Sequence, residues 1–418
     1  MKPMDVEAVR DHFPGLGGGS ILLENAGGSQ VPECVADAVR DHLLHDYCQL
    51  GAGYPASDRA TETVERAHRF MDRFVNGDGV GRVVLGSSCT SLMHVLAASL
   101  GRTLRDGDEI VVCEQGHEAN IGCWLDLERL GARIRWWKVD PVTGSLDLDD
   151  LRELVGERTR IVAFPHASNL LGEIVDVAEA TRIVHAAGGR VVVDGVAYAP
   201  HRAIDVRAWE VDYYAWSTYK VYGPHMGALF GRTEAFAELR GPNHFFIPDE
   251  EIPYKFELGG ASHEGCAGLC ALAPYLGRLV GEPGTDAGNC DHATVRAAFD
   301  RMTELERPVQ ERLMDRLRRH DGIRVIGPES PDVDRRVATV SFVHRDVDPL
   351  RIVAAAHEAG VGIRNGHMYA HRLCTAMRIE PEPGVVRVSA VHYNVPEEVD
   401  HLMDALDPVL EAGANGLG

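Results

Sequence analysis

Between about Arg82 and Phe230, short apolar runs alternate with amphipathic stretches of helical length. VVLG is followed by SLMHVLAASLG, EIVVC by WLDLERLG, and RIRWWKV by LDDLRELVG; the series continues through RIVAFP, ATRIVHAAG, RVVVD, DYYAWS and ALFGR. Apolar runs of strand length separated by helical periodicity predict an α/β unit built on a mainly parallel seven-stranded sheet. Sheets of this kind bind ligands at the carboxyl ends of their strands.

The flanks read differently. Upstream, Val31 to Leu50 and Asp58 to Asn76 predict helices around the loop GAGYPAS. Downstream, Ile247 to Gly265 reads as loop, and apolar helical patterns follow through Val280 and from Ala293 to Arg319. Towards the carboxyl terminus, RVI, RVATVSFV and VVRVSAV read as strands around helices at Asp348 to Ala359 and Pro396 to Ala412. This predicts a smaller α+β unit, which the first residues of the chain join. The expected division is residues 20–290 as the large unit and residues 1–19 with 291–418 as the small one.

Composition narrows the class of function. With 418 residues, 45% of them hydrophobic, the chain can bury a large core. Its 42 basic and 63 acidic residues give a formal charge of −21, which repels nucleic-acid phosphates and anionic membranes. The most basic short stretch, Arg312 to Arg319, includes Asp315 and has the spacing of a solvated helix face. The nine cysteines are odd in number and form no CxxC pair, which argues against a disulfide framework or structural zinc and fits a reducing cytoplasm. Residues 1–19 contain no apolar run of signal-peptide length, and no segment offers a membrane-length apolar run. Neither nucleic acid nor membrane is an expected partner.

The chemistry concentrates in VVVDGVAYAPH at 191–201 and DYYAWSTYKVYGPHMG at 212–227. One apolar strand delivers Asp194 to its carboxyl end, and the next delivers Lys220. Pyridoxal 5'-phosphate needs such a pair: a lysine that forms an imine, and a carboxylate that keeps the pyridine nitrogen protonated. Gly86-Ser87-Ser88-Cys89-Thr90 stands between a strand and a helix, where N–H groups and the helix dipole favour a phosphate. His117 follows EIVVC and could stack on a cofactor ring; Asn169 follows RIVAFP and could bond the ring's oxygen substituent. Each residue also has a structural reading as cap, turn or surface charge. Their common position at strand ends is what gives the set its weight.

Ten ordered segments, LENAGGSQVP, GYPAS, GSSCTSL, GHEANIGCW, HASNLLG, DGVAYAPH, STYKVYGPHMG, KFELGGASHEG, RNGHMYA and VRVSAVHYN, resemble class V aminotransferase-like enzymes. Within that family they are most similar to the cysteine desulfurase-like subfamily related to group II cysteine desulfurases. The resemblance implies a fold-type I pyridoxal-phosphate transferase, with Lys220 as Schiff-base lysine, Asp194 as pyridinium partner, His117 as stacking imidazole and Asn169 beside the cofactor. It implies phosphate ligands at Ser88, Thr90, Ser217 and Tyr219, and a substrate-carboxylate clamp at Arg387, a role suited to a planar guanidinium. Arg364, His225, His367 and Tyr369 are the further substrate-side candidates, with His263 near them. A homodimer with active sites near its interface is also implied. The implied reaction passes through an external aldimine and a carbanion of an amino-acid substrate, most directly a lyase cleaving a C–S or other Cβ-substituent bond. Carbon–carbon chemistry of decarboxylase, aldolase or Mannich type, transamination, and a catalytically silent scaffold are the alternatives.

Three departures bear on the reaction. Group II desulfurases carry their nucleophile in R-x-G-H-x-C, whereas residues 364–370 read R-N-G-H-M-Y-A, with Tyr369 in the cysteine's place. A phenol cannot accept sulfur as a persulfide, which needs a thiolate. Cys374, further on, reads as a buried helix cysteine. Ala197 stands where relatives have Gln or His, and Gly260 where they have a Thr that reaches the phosphate across a dimer interface. His367, His371 and Cys374 could share a helix face, but no acidic ligand accompanies them at a convincing spacing, so no metal is expected.

Overall fold

The computed structural model describes residues 2–415; Met1 and residues 416–418, at the two ends of the predicted small unit, lie outside the described residues. Among the described residues thirteen strands are formed: β1 (Ile21–Leu22), β2 (Gly81–Gly86), β3 (Glu109–Cys113), β4 (Arg133–Trp137), β5 (Thr159–Pro165), β6 (Arg190–Asp194), β7 (Tyr213–Ser217), β8 (Gly227–Arg232), β9 (Ile323–Ile326), β10 (Thr339–His344), β11 (Val361–Gly362), β12 (Arg364–Gly366) and β13 (Val385–Ser389).

Strands β2 to β8 are the seven predicted runs, and they form one sheet in the order β2-β8-β7-β6-β5-β3-β4. Only β8 runs antiparallel to its neighbours. The carboxyl ends of β2, β3, β5, β6 and β7 therefore share one edge, where β8 begins. The apolar runs are nearly continuous because helices cover both faces of the sheet. Val83, Leu85, Val111, Val162, Val191 and Val193 enter one apolar cluster. Val84, Ile110, Val112, Ile161, Ala163 and Val192 enter the other. This is the two-residue alternation of a pleated strand, with apolar side chains on both sides.

The carboxyl-terminal sheet has the order β12-β13-β10-β9, antiparallel throughout. Helices Pro349–Glu358 and Pro396–Asn415 contribute Ile352, Leu402 and Leu406 to a cluster with Val340, Phe342, Val386 and Val388 of that sheet. The amino-terminal segment touches both regions. Phe13 packs edge-on against Tyr275, and Ile21 pairs in parallel with Val361.

Two expectations are adjusted. The strand foreseen from Arg336 starts at Thr339, because the fully buried Arg336 guanidinium donates to the carbonyls of Leu171 at 2.9 Å and Thr339 at 2.7 Å, pinning the chain before it enters the ladder. The basic stretch after Arg312 is not simply a solvated helix face. Arg316 lies 3.0, 2.7 and 3.1 Å from Asp400, Asp404 and Asp407, so part of it ties helix His292–Leu317 to helix Pro396–Asn415. No helix among the described residues is long and apolar enough to cross a membrane.

Candidate active site

The shared strand edge gathers the predicted residues because each strand ends in polar sequence at the same level. Asp194 closes β6, Lys220 ends the short turn after β7, His117 follows β3, and Asn169 follows β5. These four, with Thr90, Ala197, Ser217 and Tyr219, line one cavity. Its cavity volume is about 70 Å³, well below the roughly 300–1,000 Å³ usual for small-molecule pockets.

Asp194 is 6% exposed, and its Oδ1 accepts the N–H of Val196 at 2.9 Å. Its Oδ2 has no protein hydrogen-bond partner among the described residues. Burial raises the carboxyl pKa, opposed by the Val196 N–H and by Lys220. Burial, followed by the charge of Arg387, lowers the Lys220 ammonium to about 8, with Asp194 opposing. His117 is lowered to about 4 by burial, then by Lys220 and Arg387, so its imidazole is neutral at physiological pH. Its Nδ1 accepts the N–H of Ala119 at 3.0 Å, which leaves the ring proton on Nε2. The Tyr369 ring lies 5.0 Å from the imidazole, tilted by 33°.

Asn169 joins three parts of the site. Its Nδ2 donates to the Met368 carbonyl at 2.7 Å, its own carbonyl accepts from Arg387 Nη1 at 3.1 Å, and its Oδ1 is buried without a partner. Arg387 is 3% exposed, and its Nε is likewise buried and unpartnered. Its Nη2 donates to Glu24 Oε1 at 3.2 Å, and the same oxygen lies 3.7 Å from Arg364 Nη1. Burial lowers the Arg387 pKa to about 10, so the guanidinium stays charged at neutral pH.

At the opposite end of the cavity, helix Cys89–Gly101 begins. Ser88 caps it: the Ser88 hydroxyl accepts the Ser91 N–H at 3.1 Å, and Ser91 Oγ accepts the Ser88 N–H at 3.2 Å. The Ser88 side chain is thus engaged in a capping box, whereas Thr90 lines the cavity. The Tyr219 ring stacks on His225, 4.4 Å between centroids. His225 and His263 line a second, wider cleft together with Ser87 and Gly260. They are not among the residues lining the Lys220 cavity.

The loop carrying Tyr369 is clipped to the site. Met368 and Tyr369 both have left-handed backbones, with φ of 47° and 62°. The Glu118 N–H donates to the Tyr369 carbonyl at 2.9 Å, and Arg372 binds Glu118 through two contacts of 3.0 and 3.1 Å. His367 turns away from the cavity, 3.7 Å from Glu382, and its Nδ1 accepts the Tyr369 N–H at 3.1 Å. Cys374 is fully buried among Val139, Leu170 and Leu373, and burial pushes its thiol up to about 11. No thiol accompanies Tyr369 at this loop. Glu24 is the residue that sequence reasoning passed over; the only signal was an acid inside the segment LENAGG.

Comparison with known proteins identifies the family and the fold. The model of the family "Aminotransferase class-V" matches residues 21–282 and 291–402. An aminotransferase-like protein of Gibberella zeae is 38% identical over 413 residues, covering 97% of this chain and 98% of that protein. A cysteine desulfurase-like protein of Aspergillus flavus is 30% identical over 427 residues, covering 97% and 91%. Among solved structures, the cysteine desulfurase CsdA of Escherichia coli superposes with a TM-score of 0.82 at 26% identity, covering 98% of this chain and 99% of that one. A cysteine desulfurase of Thermococcus onnurineus shares the fold with a TM-score of 0.86 at 24% identity, covering 99% and 100%. Family match, relatives and fold-type I architecture together establish that the chain belongs to the class V aminotransferases, a family of pyridoxal-phosphate enzymes, among their cysteine desulfurase-like members.

Proposed function

We propose that this enzyme is a pyridoxal-phosphate-dependent lyase that expels a substituent from the β-carbon of an amino acid, without passing sulfur to a protein thiol. The observation that carries this reading is the joint presence of Lys220 and Asp194 in one cavity whose neighbouring loop presents Tyr369 rather than a cysteine. The residues fit the cofactor. Asp194 keeps one oxygen free, the Asn169 Oδ1 is an orphaned buried polar atom beside the cavity, and the first turn of helix Cys89–Gly101 offers an anion site. Bound there, pyridoxal phosphate would supply an aldehyde that takes up amines and a protonated ring that accepts the electron pair of a broken α-carbon bond.

The roles of the chain's own residues follow from their environments. Asp194 holds a proton at the pyridine nitrogen, and the neutral His117 imidazole covers a ring face. Lys220, with its pKa lowered to about 8, is the amine that engages the cofactor at rest. Once displaced, its Nζ carries the proton taken from the substrate's α-carbon. Arg387 holds the substrate carboxylate, with Arg364 beside it. Thr90, Ser217 and Tyr219 hold the phosphate together with backbone N–H groups at the helix start. His225, His263, His367 and Tyr369 shape the approach rather than the reacting centre.

The same reading includes a homodimer meeting near the wide cleft, supported by the exposed Tyr47 and Leu258, which line that cleft with Gly260. It keeps the division into residues 20–290 and residues 1–19 with 291–418, and a cytoplasmic setting suited to nine unpaired cysteines.

The test is product analysis. Holoenzyme given β-chloroalanine should release pyruvate and chloride while its visible-edge absorbance recovers after each turnover. Loss of that absorbance in step with keto-acid formation would instead mean transamination. Failure to release a β-substituent from any member of a panel of β-substituted amino acids would overturn the lyase reading. A second reading, carbon–carbon chemistry, draws on Ala197: its small side chain in the cavity wall leaves room for a carbonyl co-substrate. Consumption of an added aldehyde with an amino acid, and no pyruvate, would favour it.

A further inference from the structure

We propose that Glu24 is a built-in carboxylate that occupies the substrate clamp and is displaced when an amino acid binds. The proposal rests on the reading of Arg387 as the clamp. Arg364 and Arg387 stand directly opposite each other in the antiparallel pair β12–β13. Like charges so placed repel, and a buried guanidinium requires a counter-ion. Among the described residues, Glu24 is the only carboxylate within ion-pair distance of either one, and a single oxygen serves both.

The hydrogen bonds of Arg387 show what that oxygen occupies. Nη1 is tied to the Asn169 carbonyl, Nη2 to Glu24, and Nε is buried with no partner. The Nε and Nη2 N–H groups form one edge of the planar fork, the edge that grips a carboxylate with two parallel bonds. Half of this edge is vacant and half is held by Glu24. A substrate carboxylate taking both bonds must evict Glu24, whose side chain is 33% exposed and so has a path towards solvent. Evicted, it leaves two arginines facing one substrate carboxylate, so charge balance is kept with and without substrate.

Gly27 leaves space for this arrangement. A Cβ on residue 27 would lie 2.5 and 2.6 Å from the two Glu24 carboxylate oxygens. Gly27→Ala therefore pushes the carboxylate off its seat without removing its charge, and Glu24→Gln removes the charge without changing the shape.

The experiment titrates holoenzyme with propionate, a carboxylate that carries no amine, by calorimetry, and records thermal midpoints alongside. Glu24→Gln and Gly27→Ala are each expected to tighten propionate binding by about three- to tenfold, the scale of losing a partly exposed ionic competitor. Arg387→Lys is expected to abolish measurable binding. If Arg387→Lys binds propionate like the parent enzyme, the clamp reading itself fails. If Arg387→Lys loses binding while both other variants bind propionate equally or more weakly, the clamp stands and the displaceable role of Glu24 is refuted. Should Glu24→Gln fold poorly, Gly27→Ala alone decides, since it retains the charge.

Discussion

Gly227 offers a direct test of the proposed phosphate end of the site. It opens β8, opposite Gly86 of β2 and Ser217 of β7. A Cβ at this position would stand 2.2 Å from the Ser88 carbonyl carbon, 2.3 Å from Cys89 N and 2.6 Å from Ser88 O. Non-bonded carbon contacts settle near ~3.5 Å, so Gly227→Ala forces the Ser88–Cys89 peptide or the strand to move by about 1 Å. The obstructing atoms are backbone, and no side-chain rotation relieves them. Overpacking of this kind costs about 1–3 kcal/mol. The peptide that must shift is the start of helix Cys89–Gly101, whose N–H groups are assigned to the phosphate. A misplacement of this size at a binding group weakens function by up to about 100-fold. The apoenzyme should therefore melt a few degrees lower, and absorbance titration with pyridoxal phosphate should show half-saturation at least tenfold higher. A lower melting point with a cofactor titration superimposable on wild type would refute the placement of the phosphate at this junction.

Three further outcomes are expected. Asp194→Asn keeps the size and the Val196 hydrogen bond but removes the charge, so turnover should fall on the order of 100-fold or more while the far-ultraviolet spectrum is unchanged. Lys220→Ala should abolish the imine absorbance of the loaded enzyme, yet its apoenzyme should melt no lower than wild type, because burial and Arg387 disfavour the lysine's charge. His392, fully buried between the hydroxyls of Tyr275 and Tyr222, is pushed down to about 3 by burial. The unfolded chain takes up that proton near pH 6.5, so this contribution to stability is fully present above pH 6.5 and is lost as pH falls towards 3. Urea midpoints should report a loss on the order of 2 kcal/mol between pH 7 and 4.5, and a smaller loss in His392→Gln.

The central sheet was readable because its strands are buried on both faces, which turns each into an uninterrupted apolar run that few other structures require. Asp194, Lys220, His117 and Asn169 were readable for a related reason: Asp194 ends such a run, and the other three lie in the polar stretches that directly follow one. Ser88 was harder, since a serine before a helix serves equally well as cap or as phosphate ligand, and here its oxygen accepts the Ser91 N–H while its own O–H proton stays available to donate. His225 follows the lysine so closely that nothing local tells which side of the Tyr219 ring it will occupy; stacking on that ring sets it in the outer cleft. Glu24 lay beyond local reasoning altogether. Its partner Arg387 is 363 residues away, and the contact exists only because residue 24 bridges to Ser389 at the end of β13.

On the proposed reading, the Tyr369 loop is where reaction type would diverge while the cofactor end of the site is kept. Left-handed backbone costs a residue with a Cβ roughly 1–2 kcal/mol, and Met368 and Tyr369 adopt it in succession. Such a loop persists only where its surroundings over-determine it. Here the Asn169 amide holds Met368, the Glu118 N–H holds the Tyr369 carbonyl, and Arg372 fixes Glu118 in turn. These bonds act mainly on the backbone, so they set the position of residue 369 without specifying its side chain. A thiol or a phenol can be offered there with the anchoring unchanged. Asn169 also receives Arg387, so the loop and the proposed carboxylate clamp are registered on the same residue. On the proposed reading, a substrate gripped by Arg387 would meet residue 369 at a position fixed by the fold, and the identity of that one side chain would decide whether sulfur has an acceptor.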